Sequence, residues 1–178
     1  MNWNNTPGRY GAGPRLLHWT IAALVITALI FIESRGYAPR GSALRRGLRE
    51  WHQQAALAAF MLLWLRLYFR LRNRPPAIAP APPRWQQQAG AALHVMFYVL
   101  LLVLPILGMM IVQSDNRTVT LLGLALPSFL PPDRDLTHQL ERVHRWIGNV
   151  MIGGIGLHVA AVLWHQFMRR DNTLRRML

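Results

Sequence analysis

Cysteine and lysine are both missing from this chain of 178 residues, and acids are scarce: seven against 20 basic residues, all of them arginine. Without thiols there is no disulfide, no iron–sulfur cluster and no thiolate-held metal, which leaves histidine as the main soft ligand. No acid falls in the middle of a long apolar block, and Glu33 and Glu50 stand only at block ends. A proton-driven carrier, whose coupling needs buried carboxylates, is therefore a poor fit. A glycine-rich phosphate cradle and an internal repeat are also absent from the sequence.

What the chain does have is apolar length. The hydrophobic residues, 52% of the total, gather in four blocks at residues 16–32, 55–69, 89–112 and 146–168. Each approaches or exceeds the roughly 20 residues needed to cross about 30 Å of hydrocarbon, and none carries the polar face of a soluble bundle helix. With their interfacial flanks they predict four transmembrane helices, at about 14–34, 48–70, 87–112 and 142–168, in a single domain covering residues 1–178. The expected fold is all-α, an integral membrane four-helix transmembrane bundle. The first block is a poor cleavable signal, because Glu33, Ser34 and Arg35 follow its apolar core.

The net charge of +13 would suggest nucleic acid in a soluble protein. Here the arginines lie between the apolar blocks, where anionic headgroups are the simpler partner, so membrane lipid is expected and nucleic acid is not. Arg9, Arg15, Arg70, Arg72, Arg74, Arg84, Arg169, Arg170, Arg175 and Arg176 fall on one side of a four-span topology. The other side holds Arg35, Arg40, Arg45, Arg46, Arg49, Arg117, Arg134, Arg142 and Arg145. The first group sits tight against span ends, which places both termini in the cytoplasm. The first outer loop is rich in arginine against that rule, and Arg45, Arg46 and Arg49 there would form an electropositive funnel for a small anion.

Residues 72–85, "RNRPPAIAPAPPRW", carry five prolines and forbid a helix. Pro105 inside the third block is expected to kink it. A long connection is expected over residues 113–140, with "LPSFLPP" along the surface.

Histidine in hydrocarbon is costly without a partner and marks a functional candidate. In the fourth block His144 and His158 are 14 residues apart, about 21 Å of rise and about 40° short of four turns, so they share a face. His144 lies at the depth of His52, and His158 is available to His18. Two facing pairs at two depths suit two haems, each iron held by both axial imidazoles. His165 competes with His158 for His18 by depth, and His94 with His165 forms a candidate inner quinone site. Gly148, Gly153, Gly154 and Gly156 leave room for a macrocycle or for a close helix. Arg66 would snorkel inward or meet a haem propionate, and His138 reads as an interfacial residue.

These residues carry a resemblance. The chain resembles the bacterial cytochrome b561 family through "LLHW" at 16–19, "ESRGYAPR" at 33–40, "ALHVMFYVLLLVLPILG" at 92–108, "VHRWIGN" at 143–149, "GLHVAAVLWH" at 156–165 and "DNTLRRM" at 171–177. The likeness is strongest to members that oxidise superoxide and reduce ubiquinone. It implies a respiratory electron-transport protein of the bacterial inner membrane with two haems b, their ligands at His18, His52, His144 and His158. It also implies histidines at 94 and 165 that are not needed as ligands. A departure is "WHQQAALAAF" at 51–60, which has alanine where glycine would be expected against the porphyrin. The activity implied is a superoxide:quinone oxidoreductase, with superoxide, ubiquinone and lipid as partners. The alternative is a haem b relay between a periplasmic redox protein and the quinone pool.

Overall fold

A computed structural model describes residue 3 and residues 5–178, and its frame is four long helices. They are α1 (Ala12–Ser34), α2 (Ala43–Arg72), α3 (Arg84–Ser114) and α4 (Arg134–Trp164). Their 23, 30, 31 and 31 residues exceed what the hydrocarbon slab requires. All four are long and apolar enough to cross a membrane. The protein is a multi-pass membrane protein built as a four-helix transmembrane bundle.

All four helices overrun their apolar blocks, and for α2 and α4 capping chemistry sets the start. Ser42 caps α2, its hydroxyl accepting from the Arg45 amide. Asp133 caps α4 by accepting from Leu136 N, and Asp135 adds negative charge to the first turn. This corrects the expected third connection: it spans residues 115–133 rather than 113–140, since α4 begins at Arg134 and about three turns of it stand outside the apolar block. Helix α3 runs on through Pro105, and residues 73–83 are non-helical.

Small residues set the closest helix approaches. A Cβ on Gly13 of α1 would come within 2.9 Å of the Phe69 ring of α2, and one on Gly154 of α4 within 2.6 Å of Met96 Cε of α3. Helices α1 and α2 form one packed pair and α3 and α4 the other, joined through α2 and α3. Leu17, Ile21, Leu57, Leu63, Leu100 and Met151 are buried. Trp51 and Trp146 at one end, and Trp19, Trp85 and Trp164 at the other, are exposed. That is the distribution of aromatic belts at two lipid–water boundaries.

Each end of the bundle is closed by chain folded back on itself. At the end carrying both termini, Tyr10 N donates to Arg176 O, Ala77 N to Pro7 O and Asn172 N to Ala79 O, at 3.1, 3.3 and 3.1 Å. Side chains reinforce this lock: Asn5 Nδ2 donates to Arg74 O, Trp19 Nε1 to Met177 O and Arg176 to Pro76 O. At the opposite end a small antiparallel hairpin, β1 (Thr120–Leu121) and β2 (Leu124–Ala125), adds strand to the expected all-helical chain. Its two-residue turn, Leu122 and Gly123, needs left-handed backbone at both positions, φ 50° and 84°. Gln54 clamps it, donating to Thr120 O at 2.7 Å while its Oε1 accepts from Leu122 N at 3.0 Å. Val119, 1% exposed, packs there with Leu57 and Val112. In "LPSFLPP", Phe129 is 80% exposed and its amide is held by Gln113.

Candidate functional site

Helix α4 carries His144, Met151, His158 and the residue just past its end, His165, at intervals of seven, which puts them on one seam. Two of these histidines meet a ring from another helix. His144 faces His52 of α2 with ring centres 6.3 Å apart, and His158 faces His18 of α1 at 6.4 Å; both pairs are inclined at 78°.

Those separations test the fit to an iron porphyrin. A metal–imidazole bond of about 2.0 Å plus about 1.1 Å from nitrogen to ring centre, doubled, gives about 6.2 Å for two imidazoles on opposite sides of one ion. Both pairs match it. The outer-shell chemistry also fits at His52, whose Nδ1 is 2.9 Å from Ala28 O, a bond that fixes the tautomer with Nε2 unprotonated and free to ligate. His144 Nδ1 is buried near the Leu104 carbonyl without reaching hydrogen-bonding geometry. No group of three or more His, Asp or Glu side chains suited to a metal ion occurs among the described residues, so pairing is the arrangement on offer.

The terminal-end pair has further neighbours. His94 of α3 packs against His158 at 5.7 Å between ring centres, and Phe97 does the same from the next turn at 5.7 Å. Arg66 of α2 lies within electrostatic reach of His18, His94 and His158, which places the one arginine deep in an apolar block at this cluster. His94 and His165, expected together, have separate partners. His165 instead bonds Asp171, Nδ1 to Oδ2 at 2.5 Å. The ring that meets His18 is that of His158.

The four glycines of α4 also separate in role. Gly154 serves the close helix contact, whereas a Cβ on Gly148, Gly153 or Gly156 would meet nothing within 4 Å.

Of the loop arginines, Arg45 is a brace: its Nη1 donates to Arg35 O and Ala38 O at 2.8 and 3.0 Å. Arg46 Nη1 donates to Gly41 O at 2.6 Å on the exposed surface. Arg49 and Arg35 each bury an Nε without a partner. Arg35 lies within reach of Arg49, Arg45 and Arg117, with Glu141 as a counter-charge, and it also acts on His52. Arg35 and Arg117 are thus additions to the set singled out from sequence. Only the folding back of residues 115–133 brings Arg117 near the first loop, and no local pattern announces it.

Asp171 follows the last span. Burial favours its neutral form, but hydrogen bonds from the Thr173 hydroxyl, from His165 and from the Thr173 amide outweigh that and hold the carboxyl below the ordinary carboxylate range. A depressed carboxyl stabilises the fold fully above the unfolded value of about 3.9 and loses that contribution as pH falls below it through the lower folded value. Asp171→Asn is therefore expected to lower the unfolding midpoint at pH 7, with the gap from the parent protein narrowing below about pH 4. Thermal scans from pH 3 to 7 check it.

Comparison with known proteins fits this geometry. The family model described as "Prokaryotic cytochrome b561" matches residues 9–178. "Cytochrome b561 homolog 1" of Escherichia coli (strain K12) is 32% identical over 162 residues, covering 91% of this chain and 92% of that one. "Probable superoxide oxidase CybB" of Yersinia pestis is 32% identical over 162 residues, 91% of each. "Cytochrome b561 homolog 2" of Escherichia coli (strain K12) is 26% identical over 182 residues, 100% of this chain and 95% of that one. With histidine pairs spaced for axial ligation and a family match from residue 9 to the last, the chain belongs to the prokaryotic cytochrome b561 family of membrane b-type cytochromes that transfer electrons.

Proposed function

We propose that this protein oxidises superoxide to dioxygen at the periplasmic face of the bacterial inner membrane and passes the electrons to ubiquinone, with both termini in the cytoplasm. Two haems b, held by His52 with His144 and by His18 with His158, would supply one-electron carriers at two depths of the bundle. The reading rests above all on one observation: Arg35, which acts on His52, lies within electrostatic reach of Arg45, Arg49 and Arg117, and Arg35 and Arg49 each bury an Nε without a partner. The printed name of the Yersinia pestis relative supports it.

The chain's own residues then have distinct tasks. Arg35 and Arg49 attract and seat the superoxide anion, while Arg45 keeps the loop in shape. At the terminal end His165 stands about 10 Å of helix beyond His158, where it would meet a quinone headgroup, with His94 beside His158. Imidazole can bond a quinone carbonyl and carry the proton that reduction requires. Arg66 offers its charge to a propionate there.

The test is reduction of the purified, haem-loaded protein by generated superoxide. The double variant Arg35→Gln, Arg49→Gln is expected to slow reduction about tenfold and to flatten its dependence on ionic strength. An unchanged rate and salt slope would sink the seat. A second reading, a relay fed by a periplasmic redox protein, draws on the exposed hollow lined by Asp135, His138, Glu141, Arg142 and Arg145. Haems that ignore superoxide in the parent protein would favour that relay.

A further inference from the structure

Asp171 has a side chain with no exposed surface although it lies beyond the last span, and nothing above gives it a chemical task. Its position is made by a costly piece of backbone. Past Trp164, residues His165–Arg169 widen into a π-turn, and Arg170 adopts left-handed geometry at φ 54°, ψ 36°. Such turns occur often at functional sites, and a non-glycine residue in that region carries a conformational penalty. Together they fold the chain back, so that Asp171 N donates to His165 O at 3.3 Å and the carboxylate meets the imidazole. Asp171 Oδ1 is occupied as well, accepting from Thr173 N at 2.9 Å.

An imidazole whose Nδ1–H donates to a carboxylate is left with one free nitrogen, Nε2, on the opposite edge of its ring. The carboxylate fixes the tautomer and stabilises the imidazolium when Nε2 is protonated. The hydrogen bonds from Thr173 and His165 favour the ionised carboxylate, and two cations stand near it: Arg169 Nε is 4.0 Å from Oδ2, and Arg176, whose guanidinium lies 5.6 Å from the centre of the Tyr10 ring, is within electrostatic reach.

We propose that Asp171 is a positioning residue that makes His165 the proton donor to quinone. The proposal rests on the quinone reading given above. In the balanced reaction two superoxide anions leave as two dioxygen molecules, and their two electrons with two protons convert quinone to quinol. The dyad delivers one proton at a time: the His165 Nε2–H bond breaks as an O–H bond forms on a quinone oxygen. Asp171 stays ionised throughout, and His165 regains its proton from water at the terminal end.

The same contact could be a mere latch holding the tail to α4, so the test needs a latch control. Asn172 supplies one: its Oδ1 accepts from Ala79 N at 2.9 Å, in the same lock but outside the dyad. Haem-loaded full-length protein is reduced with dithionite and mixed with ubiquinone-1, and haem reoxidation is followed from pH 5.5 to 8.5. Asp171→Asn is expected to slow reoxidation about 10- to 100-fold and to change the pH profile, with Asp171→Glu recovering part of both. Asn172→Ala is expected to keep the parental rate and profile. A parental rate in Asp171→Asn, or equal slowing in Asn172→Ala, would overturn the proposal. Should the asparagine variant not fold, Asp171→Ser is read in its place, and a parental rate and pH profile there overturn it instead. Parent protein that ubiquinone-1 does not reoxidise at all would overturn the quinone reading beneath it, a result distinct from the others.

Discussion

If two haems b are held as proposed, His158→Ala is expected to lower the haem content from two per chain to one, while His165→Ala leaves two. Pyridine haemochrome quantification against protein concentration reads the outcome directly. The reason is geometric: His18 has its facing ring in His158 at 6.4 Å, a separation that two imidazoles on one iron require, whereas His165 spends its Nδ1 on Asp171. Removing one axial nitrogen takes away half of the protein's grip on the metal, a larger loss than the tenfold to hundredfold typical of an outer-shell partner. His52→Ala and His144→Ala are expected to do the same at the other level, leaving the His18 pair loaded. The reverse pattern, with His165→Ala losing a haem and His158→Ala keeping both, would reassign the ligand.

Gly154→Leu is expected to collapse the stability of the α3–α4 pair. Even a Cβ there would lie 2.6 Å from Met96 Cε and 3.2 Å from Phe97 Cε1. The methionine end can swing aside; the aromatic ring cannot move without disturbing His158, against which it packs at 5.7 Å. Overpacking of this kind costs about 1–3 kcal/mol, which for a chain of this length corresponds to about 2–12 °C in unfolding midpoint for Gly154→Ala and more for leucine. Gly153→Ala, with nothing within 4 Å, is expected to be neutral or slightly stabilising, because alanine is the better helix former. Thermal unfolding of the detergent-solubilised protein decides it, and equal losses in both variants would show that the tight contact is not what matters.

Much of this fold is legible because hydrocarbon enforces it. A chain that must bury about 20 apolar residues per crossing writes its helices in blocks, and the pairing of His52 with His144 follows from depth alone. The choice between His158 and His165 is different. They are one heptad apart on the same seam, so counting turns cannot separate them; in the structure the ring facing His18 is that of His158, while His165 turns to Asp171, brought back by a π-turn and a left-handed arginine that no propensity scale anticipates. The early start of α4 escapes for a related reason, since a helix standing clear of lipid has no hydropathy signal and is announced only by its Asp133 cap. The terminal lock is the least legible of all. Asn5 with Arg74, and Trp19 with Met177, are bonds to backbone carbonyls 69 and 158 residues away, and any side chain of similar reach would look the same in sequence. Arg45 illustrates the limit on site residues: charge in a loop announces attraction for anions, and only coordinates show that this guanidinium is already engaged.

The seven-residue spacing along α4 makes this helix a ruler. Because three histidines hang from one continuous hydrogen-bonded rod, their mutual distances are set by helical pitch rather than by side-chain packing. Inserting one residue between Met151 and Gly154 would swing everything beyond it through about 100°, separating the two levels in angle. Inserting a whole heptad would restore the angle within about 20° while lengthening the rod by about 10.5 Å. Evolution can therefore trade many side chains around this seam, but the count of residues between its histidines is a dimension of the machine.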